Sequence, residues 1–81
     1  MAYHFYLFRC KDGSLYSGST KDLKNREQVH NAGKGSKYVW AHGGGKIIYS
    51  EQFETTGEAL KREAEIKRWS KAKKEKLVSK K

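Results

Sequence analysis

The sequence contains no proline, one cysteine, and nine acidic residues against 18 lysines and arginines. The single cysteine, Cys10, excludes an internal disulfide and a zinc site built from cysteines, and it suits a reducing compartment. No apolar run approaches the roughly 18 residues that a membrane-spanning helix needs, and no signal peptide is recognisable. We therefore predict a cytoplasmic globular protein with no membrane partner.

The chain is short, basic and rich in aromatic side chains. Its 81 residues predict a single domain, 1–81, whose core depends on five tyrosines, three phenylalanines and two tryptophans. A net charge of +9 and a pI near 9.8 indicate a polyanionic partner, most often nucleic acid. A basic surface that only aids solubility would give the same balance, and an anionic membrane ranks third.

Hydrophobic patterning predicts a small α/β domain with a three-stranded, antiparallel-type sheet flanked by helices, in the order β-β-α-β-α-α. The predicted strands cover 3–10, 14–20 and 46–53; the predicted helices cover 21–32, 56–69 and 70–79. The glycine-rich segment 33–45 is predicted as a loop in which Ser36 to Ala41 could form a helical turn. We expect the core at about 3–69 and a basic C-terminal helix at 70–79.

Polar residues at two helix starts have the spacing of capping boxes. Ser19 with Asp22 precedes the first helix, and Thr55 with Glu58 opens the second. Both pairs therefore predict where a helix begins.

The first two strands form a predicted hairpin whose loop length decides its register. A two-residue turn would place Tyr6 and Tyr16 on opposite faces of the sheet. A three-residue loop at 11–13, with its last residue, a glycine, in the left-handed region, pairs Tyr16 with Phe8 and Gly18 with Tyr6. Both tyrosines then share one face, and simple packing is the ordinary explanation for such residues.

One carboxylate interrupts the apolar stripe of the second long helix. Ala59, Leu60 and Ile66 are predicted to face inward, and Glu63 lies between them at helical spacing. Burying an unpaired carboxylate is costly. An ion pair with a neighbouring basic residue and a role as metal ligand or general base are both open.

The first helix places Arg26 and His30 four residues apart, on the same face. An arginine can stabilise a phosphate with two hydrogen bonds, and a histidine can move a proton near neutral pH. An ordinary amphipathic helix, with the arginine head in water, is the competing explanation.

Two tyrosines ten residues apart, an Arg-x3-His helix and a later inward glutamate together resemble the GIY-YIG nuclease domain, in particular its small stand-alone branch. The segments FYLFRCKDGSLYSGST, KDLKNREQVHNAGKGSKY and EALKREAEIKRWSKAKKE carry the resemblance over most of the chain. His-Phe-Tyr at 4–6 occupies the GIY place, and Tyr-Ser-Gly at 16–18 occupies the YIG place. Each motif alone is weak, whereas the ordered set is specific.

The resemblance implies hydrolysis of a phosphodiester bond in DNA with one divalent cation, Mg²⁺ or Mn²⁺. Tyr6 would deprotonate the attacking water and pass its proton to His30. Arg26 would stabilise charge on the phosphoryl group. The free tyrosine pKa of about 10 means that Tyr6 needs help in this role.

The same resemblance assigns the remaining site residues. Glu63 would hold the metal, Tyr16 would orient water or phosphate, and Gly18 would allow a close backbone approach. The two aspartates, Asp12 and Asp22, fall in a hairpin loop and a helix cap, so a carboxylate-rich two-metal site is not expected.

Three positions depart from the family pattern. His4 replaces the first glycine of the GIY motif, Glu27 stands where an apolar helix residue is usual, and no asparagine follows Asn31. We expect Glu27 to loosen the first helix or to mark an exposed position. The late asparagine that supports the site in several members is absent.

Several other residues are candidates for contact with nucleic acid. Lys34, Lys37 and Tyr38 could touch a DNA backbone or could simply be solvated. His42 is expected to be a solvated loop residue. Trp40 and Trp69 are expected to pack at the core or its rim rather than stack on bases, and Cys10 is expected to be a small buried hydrophobe.

The sequence thus predicts a metal-dependent DNA endonuclease or nickase of low sequence specificity, which could select flaps, branches, nicks or single strands. A non-catalytic nucleic-acid-binding module with the same fold is the alternative, and a basic interaction protein is a third hypothesis. RNA as a substrate and a protein partner for targeting both stay open.

Overall fold

The computed structural model describes residues 2–34 and 37–79 and has an antiparallel three-stranded sheet at its centre. The strands are β1 (Tyr3–Cys10), β2 (Leu15–Thr20) and β3 (Gly45–Phe53), and the helices are α1 (Leu23–Asn31), α2 (Lys37–Ala41), α3 (Thr56–Lys67) and α4 (Lys71–Ser79). The strand order is β2-β1-β3. The predicted fold class and element order are confirmed, with α2 occupying the predicted turn; Ser36 lies outside the described residues.

Of the two loops that the sequence leaves open, the β1–β2 hairpin has the three-residue one. Its last residue, Gly13, has φ +91°, and the Gly13 N–H donates to the carbonyl of Cys10 at 2.9 Å. Phe8 pairs with Tyr16 and Tyr6 pairs with Gly18. Because side chains alternate across a strand, the phenol rings of Tyr6 and Tyr16 lie on the same face of the sheet.

Strand β1 is the central strand, and both of its faces are buried. One face contributes to a core with α1 and α2, made of Tyr6, Phe8, Cys10 and Val39. The other face contributes to a core with α3 and α4, made of Phe5, Leu7 and Ile66, with Trp69, Leu77 and Val78 packed against it. The predictions that Cys10 is buried and that Trp69 packs at the core are confirmed.

The cap of α1 differs from its prediction. Asp22 is the N-cap, and its side chain accepts from the N–H of Asn25 at 3.0 Å. Ser19 is still part of β2, and its hydroxyl donates to Glu63 instead. The predicted Ser19–Asp22 capping box is therefore wrong, because the Ser19 hydroxyl is engaged by Glu63 and Asp22 itself is the N-cap.

The start of α3 agrees with its prediction, but its inward face does not. Thr55 caps the helix by accepting from the N–H of Glu58. Ala59 and Ile66 are fully buried, whereas Leu60 is 49% exposed. The contact with the sheet follows a narrow stripe at helical spacing, and Leu60, one residue after Ala59, is rotated out of it. The prediction that Leu60 faces inward was wrong.

Glu27 ties α1 to the sheet instead of loosening the helix. The register between β1 and β3 shifts between Leu7 and Phe8. The carboxylate of Glu27 accepts from the backbone N–H of Ile47, next to this irregularity, at 2.7 Å. Such a bond satisfies a backbone donor that a bulged ladder leaves unpaired. Glu27 is half-buried and has this backbone partner, so it neither marks an exposed position nor interrupts α1.

Helix α4 is tied to the sheet by an ion pair. Both terminal nitrogens of the Arg9 guanidinium, on β1, donate to the carboxylate of Glu75. Such a bidentate pair restricts orientation as well as distance. Within the described ranges, none of the helices is both long and apolar enough to span a membrane.

Candidate active site

The phenol of Tyr6 crosses the neighbouring strand directly above Gly18. A Cβ atom placed on Gly18 would lie 2.5 Å from the Tyr6 hydroxyl oxygen and 2.6 Å from its Cζ. Any other residue at this position would therefore displace the Tyr6 ring. In this structure the Tyr6 phenol fills the space above Gly18, and this contact positions the Tyr6 hydroxyl.

Three aromatic rings contact the His30 side chain on this face of the sheet. Its ring centroid is 5.1 Å from that of Phe8, 5.5 Å from that of Tyr16 and 6.0 Å from that of Tyr6. Its Nε2 is 2.9 Å from the Tyr6 hydroxyl oxygen, and both side chains are almost fully buried. Within residues 2–34 and 37–79, His30 Nδ1 has no hydrogen-bond partner.

The electrostatics of this pair hold both groups neutral. Burial lowers the pKa of His30, and the nearby Arg26 guanidinium lowers it further. Burial raises the pKa of Tyr6, with the neighbouring Tyr16 and Glu63 adding to the shift and Arg26 opposing it. At neutral pH a protonated Tyr6 therefore faces a neutral His30, whose Nε2 can accept the Tyr6 proton.

Arg26 lies beside this pair with its charge uncompensated. It acts on the pKa of both Tyr6 and His30, and its side chain is half-buried. In the part of the chain that the structure describes, no carboxylate forms an ion pair with it. A half-buried guanidinium without a counter-ion is a ready binding site for an anion such as phosphate.

Glu63, on α3, acts electrostatically on Tyr6 and already has a partner for each carboxylate oxygen. Oε1 accepts from the Ser19 hydroxyl at 2.8 Å, and Oε2 forms an ion pair with Lys67 Nζ at 2.8 Å. Glu63 is 17% exposed, whereas Lys67 is 52% exposed. The structural ion pair considered from the sequence is therefore present, although its lysine is free to move into water.

Tyr6, Tyr16 and His30 are in direct contact, and Arg26 and Glu63 lie within electrostatic reach of Tyr6. These five are the candidate site residues that the sequence singled out. The structure also adds two residues that the sequence analysis missed, Ser19 and Lys67. The spacing of Lys67, four residues after Glu63 on one helix, is the signal that could have found it.

The donor set fits one hard divalent cation. Among the described residues, no three His, Cys, Asp or Glu side chains cluster together. Asp12 pairs with His42 and Asp22 caps α1, whereas the carboxylate of Glu63 acts electrostatically on Tyr6. Mg²⁺ commonly takes one or two protein carboxylates and completes its shell with water and phosphate oxygens. A single carboxylate beside a hydroxyl suits that preference.

A row of rings extends from the site to the surface. The Tyr38 ring centroid is 5.8 Å from that of Tyr16 and 4.2 Å from that of His42. His42 Nδ1 is hydrogen-bonded to the Asp12 carboxylate, so His42, expected to be a solvated loop residue, is 34% exposed but also has a side-chain partner. The Asp12 side chain also accepts from Ser14, which with His42 holds the pKa of Asp12 well below its usual range.

The other candidates for nucleic-acid contact lie on the surface near this row. Lys34 and Lys37 are exposed, and Tyr38 is 42% exposed. Trp40 was expected to pack at the core or its rim, but its side chain is 61% exposed. Its ring packs against Gly33 at the surface.

The arrangement of a tyrosine–histidine pair, an uncompensated arginine and a single glutamate on a β2-β1-β3 sheet matches one family of domains. The family model of the GIY-YIG catalytic domain matches residues 2–76. The chain therefore belongs to the GIY-YIG nuclease domain family, whose nucleases generally use divalent metal ions and act on nucleic acid.

Within that family the chain is similar to the UPF0213 proteins. It is 48% identical over 77 residues to UPF0213 protein SSP2268 of Staphylococcus saprophyticus, covering 95% of this chain and 94% of the relative. The solution NMR structure of UPF0213 protein BH0048 from Bacillus halodurans has 41% identity and a TM-score of 0.63, covering 100% of this chain and 86% of that one. The NMR structure of EF2693 from E. faecalis has 35% identity and a TM-score of 0.64, covering 99% and 85%.

Proposed function

We propose that the protein is a DNA endonuclease or nickase that hydrolyses phosphodiester bonds with one divalent cation, Mg²⁺ or Mn²⁺, bound by Glu63. The observation that carries the proposal is the buried hydrogen bond between the Tyr6 hydroxyl and His30 Nε2, beside an uncompensated Arg26. A buried acid–base pair next to an anion-binding group suits proton transfer at a phosphate.

The hydrogen bond offers a route around the unfavourable ionisation of Tyr6. Burial raises the pKa of Tyr6, so a free phenolate would be costly. As water attacks phosphorus, one water proton passes to the Tyr6 oxygen while the Tyr6 proton passes to His30 Nε2, 2.9 Å away. The relay ends with a protonated His30 and a neutral Tyr6, so no phenolate accumulates. The lowered pKa of His30 keeps it neutral and ready to accept a proton at pH 7.

Arg26, and a cation held by Glu63, would stabilise negative charge on different oxygens of the phosphate. Arg26 has no counter-ion among residues 2–34 and 37–79, so its guanidinium can bind the non-bridging phosphate oxygens and stabilise their growing charge. A divalent cation, when bound, supplies positive charge at the leaving oxygen. Glu63 can serve as its ligand once Lys67, which is half exposed, moves away. Tyr16, in contact with His30, is placed to orient the water or the phosphate.

The surface around the site suits a nucleic-acid backbone. The chain carries a net charge of +9, Lys34 and Lys37 are exposed, and the partly exposed ring of Tyr38 contacts that of Tyr16. Backbone contacts position a substrate without reading its sequence. We therefore propose low sequence specificity, with selection by the shape of the DNA, and RNA belongs in the test panel.

The test is a cleavage assay on supercoiled plasmid and on labelled single-stranded, flapped, branched and RNA substrates. Mg²⁺ and Mn²⁺ are compared with EDTA, and Glu63→Gln is compared with Glu65→Gln, a matched change on the same helix at a site 56% exposed. We expect cleavage that needs both the metal and Glu63 and that survives Glu65→Gln. Cleavage that persists in Glu63→Gln contradicts the proposed site.

One observation favours a second candidate, a nucleic-acid-binding module without catalysis. Lys67 already neutralises Glu63, so the carboxylate is satisfied without a metal. Binding that falls steeply with salt, together with no cleavage of any substrate in either metal, would support this function instead.

A further inference from the structure

Helix α2 presents two aromatic side chains to solvent. Val39 is fully buried in the core and anchors this short helix, while Tyr38 and Trp40 on either side of it are 42% and 61% exposed. Trp40 is the most exposed large hydrophobic side chain in the described ranges. An indole in this state offers a flat apolar surface on which another ring can stack.

Trp40 is nevertheless held in a defined position. A Cβ atom on Gly33 would lie 3.0 Å from Trp40 Cε3 and 3.2 Å from its Cδ2. The six-membered ring of the indole therefore rests against the backbone at Gly33, whose φ of +80° is itself a conformation that favours glycine. One side of the ring is supported and the rest faces solvent, so the ring is available for stacking with little loss of conformational entropy on binding.

The residues around this ring are cationic. Lys34 follows Gly33, Lys37 begins α2, and both are exposed. Neither forms an ion pair within residues 2–34 and 37–79. Free ammonium groups beside an exposed aromatic ring are the combination that binds single-stranded nucleic acid, in which phosphates meet the cations and bases stack on the ring. A duplex hides the faces of its bases and cannot stack in this way.

The other flank of α2 connects this surface to the site, since Tyr38 stacks against Tyr16. We propose that Lys34, Lys37, Tyr38 and Trp40, here named the α2 platform, bind unpaired nucleotides of a single-stranded segment. The substrate class is then DNA with a single strand next to the cut, such as a flap or an overhang. Its place beside the cut rests on the proposed function, whereas base stacking on Trp40 does not.

Fluorescence measures the stacking directly and without catalysis. The chain has two tryptophans, so Trp69→Phe leaves Trp40 as the single tryptophan reporter. In EDTA, this variant is titrated with a short oligothymidylate, with an abasic oligonucleotide of equal length and with a duplex. In parallel, anisotropy of the labelled oligonucleotides is measured with the parent protein, with Trp40→Ala and with Lys37→Met.

We expect the oligothymidylate to quench Trp40 emission and to bind about tenfold more tightly than the abasic chain, a ratio within the range for one stacked base. Trp40→Ala should abolish that preference and leave abasic binding unchanged. Lys37→Met should weaken binding of both oligonucleotides equally. It should also reduce the slope of log affinity against log salt concentration by about the amount of one phosphate contact.

Three results would overturn the proposal. They are equal binding of the oligothymidylate and the abasic chain by the parent protein, equal weakening of both by Trp40→Ala, and a change in Trp40 emission with protein concentration alone as a dimer forms. The last result would assign the platform to a second copy of the chain. The base preference is measured without metal, so it can hold while cleavage fails, or fail while cleavage holds, and the two proposals are tested separately.

Discussion

Replacing Gly18 with alanine should destabilise the fold and disturb the site through one atom. The new Cβ would lie 2.5 Å from the Tyr6 hydroxyl oxygen, where ordinary contacts begin near 3.4 Å. Tyr6 is 2% exposed and hydrogen-bonded to His30, so its ring cannot turn away without breaking that bond. Overpacking of this kind costs about 1–3 kcal/mol, and loss of the hydrogen bond adds about 1 kcal/mol.

The free energy of unfolding of Gly18→Ala should therefore fall by about 2–4 kcal/mol, measured by urea denaturation and circular dichroism. Thermal unfolding should shift down by about 12–24 °C for a chain of this size. Gly57→Ala is the matched control, because a Cβ at Gly57 in α3 meets nothing within 4 Å. That change should leave stability within about 1 kcal/mol of the parent or raise it.

A double-mutant cycle assigns the effect to Tyr6. In a Tyr6→Leu background the ring that the Cβ would strike is gone, so adding Gly18→Ala should cost less than it does in the parent. The reasoning is refuted if Gly18→Ala is as stable as the parent, or if its cost is the same in both backgrounds.

Three further predictions concern the site. The pKa of His30 is lowered in the fold, so the unfolded chain takes up a proton more readily than the folded one as the pH falls. The free energy of unfolding should therefore decrease as the pH drops below about 6.5. His30→Gln should remove this decrease between about pH 6.5 and 5, as measured by urea denaturation at each pH. An unchanged slope would contradict the neutral, buried His30. Lys67→Met should free Glu63 and raise Mn²⁺ affinity several-fold by calorimetry, while Lys61→Met, on the same helix, should not; equal affinities would contradict the competition. Arg26→Lys should lower the cleavage rate about 100-fold with little change in DNA binding, as expected where a planar guanidinium contacts phosphate, and a loss confined to binding would contradict that role.

Local rules were sufficient for the hairpin and for one helix start. The three-residue loop ending in Gly13 determined which residues pair, and with them the shared face of Tyr6 and Tyr16. Thr55 caps α3 because its partner, Glu58, is only three residues away. In both cases the interacting groups are neighbours in the chain, so spacing alone predicts the contact.

The same kind of rule failed where a distant partner competes. Ser19 had the spacing of a cap, but the hydroxyl donates to Glu63, 44 residues further along the chain. Glu27 looked out of place on α1 until β3 brought the N–H of Ile47 to its carboxylate. His42 looked solvated until the fold placed it against Asp12 and Tyr38.

The sequence by itself determined the order of strands and helices and the basic charge, it narrowed the hairpin to two registers, and its resemblance to a known family proposed the candidate site residues. Periodicity, turn length and residue spacing are local properties, and they are readable along the chain. Only the tertiary structure decided that Tyr6 hydrogen-bonds to His30, that Lys67 forms an ion pair with Glu63 and that Trp40 faces solvent. These facts depend on which surfaces meet when the helices pack on the sheet, and on the burial that shifts the pKa of Tyr6 and His30 in opposite directions.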